Sequence, residues 1–275
     1  MDMRIEEMAD KAAFITGGAS GIGLGVARAF AEVGVKLALA DIDVRTLETS
    51  AAELRESGAT VITVPLDVTD RVAWGAAVKR VPAEIGPVQL LVNNAGISTN
   101  GMRFGEISPE FWDKVVAINL TGIYNGVHYF LDGMRAAGGG HIVSTSSIGG
   151  LMGFPLLSGY SATKAGVIAL SEALRAELAD AGIGVSVLIP GGVRTRFWRT
   201  SRLARGLPDT DVPPDDQSGQ SALAAMLPEE VGRRVLQGII ANDPYIMTEA
   251  AASQIIDHRG VLMKQACDKA AAFIA

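Results

Sequence analysis

The sequence predicts an α/β fold in which a doubly wound parallel sheet of about seven strands carries helices on both faces. Three observations predict it. Short apolar segments alternate with helical segments along nearly the whole chain, as successive βαβ units require. The first apolar segment leads through a glycine-rich turn directly into a helix. The 32 glycines suit a fold with many tight turns between strands and helices.

Length and composition limit the possible functions. The 275 residues fit one large domain, 1–275, and 48% hydrophobic with 20% charged residues is typical of a globular protein. A net charge of −6 without a basic block argues against nucleic acid as a partner. One cysteine and three scattered histidines predict neither a disulfide nor a metal site. The charged N-terminus and the lack of a run of about 18 apolar residues predict a cytoplasmic protein without a membrane partner.

The first βαβ unit carries the first candidate site. Residues 12–16 are predicted to form a buried strand, 16–23 a glycine-rich turn, and 24–33 a helix. Glycines let the backbone approach a diphosphate, and a helix N-terminus offers free N–H groups and the positive end of its dipole. This context predicts phosphate binding.

Asp41 ends the second predicted strand, 35–40, and lies 18 residues after Gly23. That spacing is close to the one expected for an acid that binds the adenosine ribose diol. A carboxylate there accepts hydrogen bonds from both hydroxyls and repels a 2′-phosphate, so NAD is favoured over NADP. Arg45 is a nearby cation available to a 2′-phosphate, so NADP stays an alternative. Asp43 is the better candidate to cap the next helix.

Polar residues also follow the third and fourth predicted strands, 60–64 and 88–92. Asp67 is placed to accept a hydrogen bond from an adenine amino group, and Asp70 is predicted to cap the next helix. The segment Asn93-Asn-Ala-Gly96 is small enough to let a cofactor pass over the sheet edge, although a plain turn has the same composition.

A long helix is predicted from Ser108 to about Met134, with Ser108 as its N-cap. Asn119 lies inside it, where an amide competes for backbone hydrogen bonds. A buried asparagine in that position requires partners or a function. A fifth strand, 141–144, then leads into a run of serines.

Tyr160 and Lys164 are four residues apart, which places them on one face of the next predicted helix. A cation beside a phenol favours the phenolate, so we expect Lys164 to lower the pKa of Tyr160. A tyrosine tuned in this way can exchange a proton near neutral pH. Tyr160 is the one tyrosine of the four with a lysine four positions on.

The last third of the chain is less regular. A sixth strand, 184–189, is followed by an irregular stretch, 196–227, that we predict to be a substrate lid. A helix over 228–240, a short strand over 244–248 and an extended helical C-terminus over 249–275 complete the chain.

Six motifs now stand in order along about two-thirds of the chain. They are Thr16-Gly-x-x-x-Gly21-x-Gly23, Asn93-Asn94-Ala95-Gly96, Asn119, Ser147, Tyr160-x-x-x-Lys164 and Pro190-Gly191-x-Val193-x-Thr195. Together they resemble the short-chain dehydrogenase/reductase family in its short, single-domain form. The resemblance implies a Rossmann-type fold and a nicotinamide dinucleotide cofactor.

The resemblance also implies four catalytic residues. Tyr160 would be the general acid and base, and Lys164 would lower its pKa and hold the nicotinamide ribose. Ser147 would hydrogen-bond the substrate oxygen, with Ser146 as the less favoured alternative. Asn119 would position a water that links Lys164 to solvent.

A larger set would bind the cofactor. Its members are Gly17, Ser20, Gly21, Ile22, Gly23, Asp41, Asp67, Val68, Asn94, Ala95, Gly96, Tyr160, Lys164, Pro190, Gly191, Val193 and Thr195. Within it, Asp41 would take the ribose, and Asp67 and Val68 the adenine. Thr195 would meet the nicotinamide carboxamide or the phosphates.

The expected activity is therefore NAD-dependent interconversion of a secondary alcohol and a ketone. Apolar lid residues such as Phe197 and Trp198 favour an apolar or aromatic substrate. A substrate with a carboxylate is the alternative, which four arginines favour: Arg194, Arg196, Arg199 and Arg202. An NADP-dependent ketone reductase and a catalytically silent dinucleotide-binding regulatory protein are the alternatives. The resemblance also implies a homodimer or homotetramer formed through the helices that begin near Ser108 and Ser158.

Overall fold

The computed structural model describes residues 5–99, 101–209 and 225–274. Its centre is one sheet of seven parallel strands in the order β3-β2-β1-β4-β5-β6-β7. The strands are β1 (Ala12–Thr16), β2 (Lys36–Asp41), β3 (Val61–Pro65), β4 (Val88–Asn93), β5 (Gly140–Thr145), β6 (Ile183–Ile189) and β7 (Tyr245–Met247). The predicted doubly wound α/β class is confirmed.

Helices connect the strands and cover both faces of the sheet. They are α1 (Gly21–Ala31), α2 (Val44–Glu56), α3 (Arg71–Ile85), α4 (Pro109–Val116), α5 (Gly122–Ala136), α6 (Ile148–Leu151), α7 (Ser158–Glu177), α8 (Phe197–Ala204), α9 (Pro228–Ile240) and α10 (Ala252–Ile274). Asp43, Asp70 and Ser108 cap α2, α3 and α4 as predicted, each accepting from a backbone N–H of the first turn. Within the described parts of the chain, no helix is both long and apolar enough to cross a membrane.

The core consists of two main apolar layers, one on each face of the sheet. Neighbouring residues of β1 point to opposite layers, because side chains alternate along a strand. Ile15 packs in the layer formed with α1, α2 and α9. Phe14 packs in the layer formed with α3 and α5, where its ring centroid lies 5.5 Å from Trp74 and 4.7 Å from Phe130. The two layers hold the carboxyl ends of the strands in a fixed row.

The long helix predicted from Ser108 to about Met134 is present and contains one π-helical turn. A π-helical turn, Ala117–Thr121, separates α4 from α5. Asn119 lies in this turn and is fully buried. A π turn holds an extra residue and often occurs at functional sites. The predicted helix is therefore confirmed, since residues 109–136 are helical without a break, and the π turn lies at the residue that the sequence marks as unusual.

The predicted lid, 196–227, is not irregular throughout. Residues 197–204 form α8, and residues 210–224 lie outside the described residues. Phe197 and Ser201 are one turn apart on α8, and Ser201 is buried. A helix forms here because this face finds partners in the body of the protein. The C-terminal segment forms one helix, α10, most of which is exposed.

Candidate active site

The candidate site lies along the carboxyl ends of the parallel strands. The strand order reverses between β1 and β4, and ligands of open α/β sheets bind in the crevice at such a switch point. The loop after β4 is tied to the end of β1, because Thr16 Oγ1 accepts from the backbone N–H groups of Asn94 at 2.9 Å and Ala95 at 3.1 Å. The end of β5 is tied to α7, because Lys164 Nζ donates to Thr145 O at 2.8 Å.

Tyr160, Lys164 and Ser147 form one cluster. Lys164 is 3% exposed, and its Nζ lies 5.6 Å from the centroid of the Tyr160 ring. The Ser147 side chain hydrogen-bonds the Tyr160 phenol. Ser147 Oγ also accepts from Gly149 N at 3.1 Å, so its own proton is free to be donated. The cluster thus combines a phenol, a hydroxyl donor and a buried amine.

Burial sets the pKa values of this cluster. It raises the pKa of Tyr160 to about 12, against the opposing effect of the Ser147 hydrogen bond. It lowers the pKa of Lys164 to about 8. The expectation that Lys164 lowers the pKa of Tyr160 is therefore wrong for the protein alone. Tyr160 is half-buried and Lys164 is buried, and desolvation of the phenolate outweighs the opposing effect of the Ser147 hydrogen bond.

The two neighbouring serines have different surroundings. Ser146 Oγ donates to Lys164 O at 2.7 Å and is buried, so it fastens β5 to α7. Ser147 faces the Tyr160 phenol instead. The geometry therefore favours Ser147 as the residue available to a substrate oxygen.

Asn119 ties the π turn to the loop after β4. Its Nδ2 donates to Ile97 O at 2.8 Å and to Thr163 Oγ1 at 3.1 Å, and its Oδ1 accepts from Ile97 N at 2.8 Å. A Cβ at Gly96 would lie 3.3 Å from Asn119 Oδ1 and 3.5 Å from Lys164 Nζ. Asn119 Oδ1 and Lys164 Nζ therefore both lie beside the Gly96 backbone, and the water by which Asn119 would link Lys164 to solvent stays a prediction.

The glycine-rich turn wraps tightly around the N-terminus of α1. A Cβ at Gly23 would lie 2.1 Å from Gly17 O and 2.8 Å from Asn94 Nδ2, so no other residue fits. Gly17 has φ +64°, a conformation that L side chains rarely adopt. Ser20 precedes α1 and makes no capping bond, while Ile22 packs against the core. The turn presents bare backbone N–H groups at the switch point, as phosphate binding requires.

Asp41 lies at the end of β2 beside this turn. Its Oδ2 accepts from Ala19 N at 3.1 Å, and its Oδ1 accepts from Asp43 N at 3.0 Å. Burial raises its pKa, and the backbone hydrogen bonds oppose the increase. The carboxylate is thus oriented by the backbone of both the glycine turn and the start of α2.

The two residues predicted to bind adenine, Asp67 and Val68, differ in their exposure. Asp67 is exposed, and its Oδ1 accepts from Thr69 N at 2.9 Å and Thr69 Oγ1 at 2.8 Å. Val68 is buried, and its carbonyl accepts from Trp74 Nε1 at 2.9 Å and Asn125 Nδ2 at 3.0 Å. Val68 therefore anchors the loop after β3 to α3 and α5, and Asp67 projects from that anchored loop.

The loop after β6 borders the same edge. Pro190 O accepts from Ile148 N at 3.0 Å, which joins this loop to the residue after Ser147. Gly191 N donates to Thr248 Oγ1 at 3.0 Å. Val193 forms a bridge with Met226, and the Thr195 methyl lies 3.1 Å from where a Cβ of Gly21 would be. Thr195 therefore lies at the N-terminus of α1, next to the glycine turn.

Helix α8 lies against the cluster of Tyr160, Ser147 and Lys164. The rings of Phe197 and Tyr160 have centroids 5.9 Å apart. Ser201 Oγ accepts from Ser98 N at 2.9 Å and donates to Phe197 O at 2.8 Å, which fixes the helix over the loop after β4. Thr99 Oγ1 accepts from Tyr160 N at 3.2 Å.

Sequence reasoning did not identify several residues that organise the site. They are Thr16, Thr99, Ser201, Thr248 and Glu249, the last of which accepts from Gly192 N at 2.6 Å. Thr16 does stand at a strand end within the glycine motif, which is a local signal. The other four lie far along the chain from their partners, so no local pattern reveals them.

Comparisons with known proteins agree with this geometry. The family model described as short chain dehydrogenase matches residues 11–206. The chain is 36% identical over 253 residues to a C alpha-dehydrogenase of Sphingobium sp., covering 88% of this chain and 82% of that protein. It is 35% identical over 219 residues to a 2,5-dichloro-2,5-cyclohexadiene-1,4-diol dehydrogenase of Sphingobium indicum, covering 80% and 83%.

A solved structure gives the same result at the level of the fold. A short-chain dehydrogenase/reductase from Burkholderia phymatum, in complex with NAD, superimposes with a TM-score of 0.85 at 30% identity, covering 94% of this chain and 96% of that one. The family model spans well over half of the chain, and the relatives match along most of their own lengths. The chain belongs to the short-chain dehydrogenase/reductase family.

Proposed function

We propose that this chain is an NAD-dependent oxidoreductase that interconverts a secondary alcohol and a ketone, with Tyr160 as general acid and base. The observation that carries the proposal is the cluster of Tyr160, Ser147 and Lys164 at the same sheet edge as the glycine turn. Hydride transfer to or from a carbonyl carbon needs a proton donor and a hydrogen-bond donor at the oxygen. The cluster supplies both.

The surrounding residues fit a nicotinamide dinucleotide. Gly17 and Gly23 leave the backbone bare at the N-terminus of α1, where a diphosphate is favoured, and Asp41 is oriented beside that turn. When bound, the nicotinamide ring supplies the hydride acceptor or donor. Lys164 and Thr195 are the residues we assign to the nicotinamide end, and Asp67 and Val68 to the adenine end.

Tyr160 moves the proton in both directions. In ketone reduction, its phenol donates a proton to the substrate oxygen, which Ser147 holds by a hydrogen bond. Because the pKa of Tyr160 is about 12, the phenol is protonated at neutral pH and ready to donate. In alcohol oxidation, the phenolate accepts the proton from the substrate hydroxyl, and the Lys164 ammonium stabilises the phenolate. Burial disfavours the phenolate, so we expect the oxidation rate to rise with pH.

NAD is proposed over NADP because of Asp41. Its carboxylate, fixed by Ala19 N and Asp43 N, suits a ribose diol and repels a 2′-phosphate. The NAD in the solved Burkholderia relative is consistent with this preference. Arg45, at the start of α2, is the residue that supports the alternative of an NADP-dependent ketone reductase.

The proposed substrate is an apolar or aromatic secondary alcohol. Phe197 lies against Tyr160, so a reacting carbon at Tyr160 has an aromatic ring beside it. The names of the two curated relatives, a C alpha-dehydrogenase and a chlorinated cyclohexadiene-diol dehydrogenase, are in line with this class. A cytoplasmic location and assembly as a homodimer or homotetramer remain predictions.

A panel of secondary alcohols and ketones tests the proposal, with nicotinamide absorbance followed for both cofactors. We expect turnover of aryl secondary alcohols, with kcat/KM at least about tenfold higher with NAD than with NADP. A clear NADP preference would overturn the assignment of Asp41. NADH binding without turnover of any alcohol or ketone would instead support the catalytically silent regulatory protein.

A further inference from the structure

Glu249 lies just beyond β7, at the same edge of the sheet as the candidate site. The parallel pairing of β6 and β7 brings the carboxyl ends of these strands together. Gly191 N donates to Thr248 Oγ1 at 3.0 Å, and Gly192 N donates to Glu249 Oε1 at 2.6 Å. Two successive backbone N–H groups of the loop after β6 are thus held by the two residues that follow β7.

The loop after β6 lies next to the cluster of Tyr160, Ser147 and Lys164. Pro190 O accepts from Ile148 N at 3.0 Å, and Ile148 directly follows Ser147. Under the proposed function, Ser147 and Tyr160 hold the oxygen of the reacting carbon, and the nicotinamide ring must reach that carbon to exchange a hydride. We therefore expect the ring near this loop, and the carboxylate that holds the loop near the ring.

The carboxylate of Glu249 is fixed in place. A Cβ at Gly191 would overlap both of its oxygens, so the carboxylate fills the space beside a residue that has no side chain. Glu249 O also accepts from Ala252 N at 3.3 Å, which joins the residue to the start of α10. The side chain and the backbone of Glu249 therefore both determine where its charge lies.

This charge has no cation beside it in the protein. Within residues 5–99, 101–209 and 225–274, no lysine or arginine forms an ion pair with Glu249. Glu249 is half-buried, so its interaction with a nearby charge is screened less than that of an exposed carboxylate. The carboxylate thus favours a ligand that brings a positive charge.

The oxidised and reduced cofactors differ in this respect. The nicotinamide ring of NAD is a cation, whereas that of NADH is neutral. The ammonium of Lys164, which is 3% exposed and lies beside Tyr160, belongs to the same end of the site and repels a cationic ring. A nearby carboxylate offsets this repulsion for NAD and has little effect on the neutral ring of NADH. Charge close to the reactive ring is one of the ways in which a protein tunes a cofactor.

We propose that the charge of Glu249 strengthens the binding of NAD relative to NADH. The inference rests on the proposed function, because it needs a nicotinamide dinucleotide at this edge of the sheet. Its consequence is that NADH, the product of alcohol oxidation, competes less well with NAD for the site.

The alternative is that Glu249 only holds the loop in position. A hydrogen bond from Gly192 N needs an acceptor but no charge, so a glutamine would serve equally well. The two roles predict different results, since a displaced loop weakens NAD and NADH alike, whereas a lost charge weakens NAD alone.

Calorimetric titration of Glu249→Gln with NAD and with NADH separates the two roles. The substitution keeps the acceptor for Gly192 N and removes the charge. We expect the ratio of the Kd for NAD to that for NADH to rise about fivefold to tenfold, with the Kd for NADH nearly unchanged. Glu172→Gln is the matched control: this exposed carboxylate on α7 accepts from Tyr245 OH at 2.6 Å, at the amino end of β7, so the ratio should not change.

Two further variants separate charge from loop position. Thr248→Val removes the acceptor for Gly191 N without a change in charge, and Glu249→Asp keeps the charge on a shorter side chain. Both should leave the ratio of the two Kd values close to that of the unsubstituted protein, and the thermal unfolding midpoint of each variant shows whether it is folded.

An unchanged ratio in Glu249→Gln, or an equal shift of the ratio in Thr248→Val or Glu249→Asp, overturns the inference and leaves the proposed function standing. An unsubstituted protein that binds neither NAD nor NADH overturns both.

Discussion

The two halves of the candidate site are held in shape by different means. Around β1 and β2 the geometry comes from close packing of the backbone, which leaves no room for a side chain. A Cβ at Gly23, for example, would lie only 2.1 Å from Gly17 O. Around β5, β6 and α7 it comes from side-chain hydrogen bonds, such as those of Lys164 to Thr145 O and Ser146 to Lys164 O. Under the proposed function, we therefore expect substitutions in the first half to weaken cofactor binding and substitutions in the second half to slow the chemical step.

The largest of the following effects is expected in the second half. Ser147→Ala removes the hydroxyl that hydrogen-bonds the phenol and, as we propose, the substrate oxygen. We expect kcat to fall about 10²–10³-fold, as when an oxyanion donor is lost, with the Kd for NADH unchanged. Steady-state kinetics and NADH fluorescence titration measure the two quantities.

Ser146→Ala is the matched control for that experiment. It removes a bond within the fold, to Lys164 O, and should lower the free energy of unfolding by about 1 kcal/mol with a much smaller loss of kcat. Equal losses of kcat in both variants would remove the distinction drawn between the two serines.

In the first half, Gly23→Ala should act on binding. The new Cβ meets backbone at 2.1 Å, so the turn has to open. We expect the affinity for NADH to fall about a hundredfold or more, which corresponds to about 2.7 kcal/mol. Gly133→Ala is the control, since an exposed Cβ there meets nothing within 4 Å and the helix should gain about 0.5–1 kcal/mol. Unchanged NADH affinity in Gly23→Ala would contradict the claim that the closely packed backbone of the glycine turn determines cofactor binding.

Asp41→Asn tests which residue of the first half sets the preference for NAD over NADP. One carboxylate oxygen becomes an amide donor facing Ala19 N or Asp43 N, and the repulsion of a 2′-phosphate is lost. We expect the ratio of kcat/KM for NAD to that for NADP to fall about tenfold. Asp43→Asn, at the cap of α2, should leave the ratio as it is. If the ratio of kcat/KM for NAD to that for NADP is unchanged in Asp41→Asn, another residue determines the choice of cofactor. Arg45 would then be the first residue to test.

The smallest effect concerns stability. Burial lowers the pKa of Lys164 from 10.5 to about 8, so below pH 8 the buried ammonium destabilises the fold by about 3 kcal/mol. Lys164→Met removes this penalty but leaves Thr145 O without its donor, which costs about 1–2 kcal/mol. We expect the variant to be about 1–2 kcal/mol more stable at pH 7.

That advantage should depend on pH. The unfolded lysine binds more protons than the folded one between pH 8 and 10.5, so the stability of the unsubstituted protein rises there and the advantage disappears. Denaturant unfolding at pH 7 and at pH 10 measures it, with the exposed Lys79→Met as control. A destabilised Lys164→Met at pH 7 would contradict the burial argument.

The sequence predicts the parts of the molecule that depend on local pattern. The strands, the caps at Asp43, Asp70 and Ser108, and the glycine turn all follow from short stretches of sequence. Asn119 could be identified from the sequence as an unusual residue in a helix. The π turn around it could not be predicted, because it is stabilised by the tertiary hydrogen bonds between Asn119 and Ile97.

Features that depend on contacts between residues far apart along the chain could not be predicted from the sequence. Ser201 and Ser98 meet only in the folded chain, and α8 forms where an irregular lid was expected because that contact exists. The pKa of Tyr160 was expected to fall because Lys164 is four residues away, yet it rises because burial, a property of the whole fold, dominates. Spacing along the chain identifies neighbours but does not measure desolvation.

Tyr160→Phe removes the group that we propose as the general acid and base. The substitution keeps the ring that packs against Phe197 and removes only the hydroxyl. We expect kcat for both alcohol oxidation and ketone reduction to fall about 10²–10⁴-fold while the Kd for NADH stays within about twofold. Retention of full turnover in Tyr160→Phe would contradict the assignment of Tyr160 as the general acid and base.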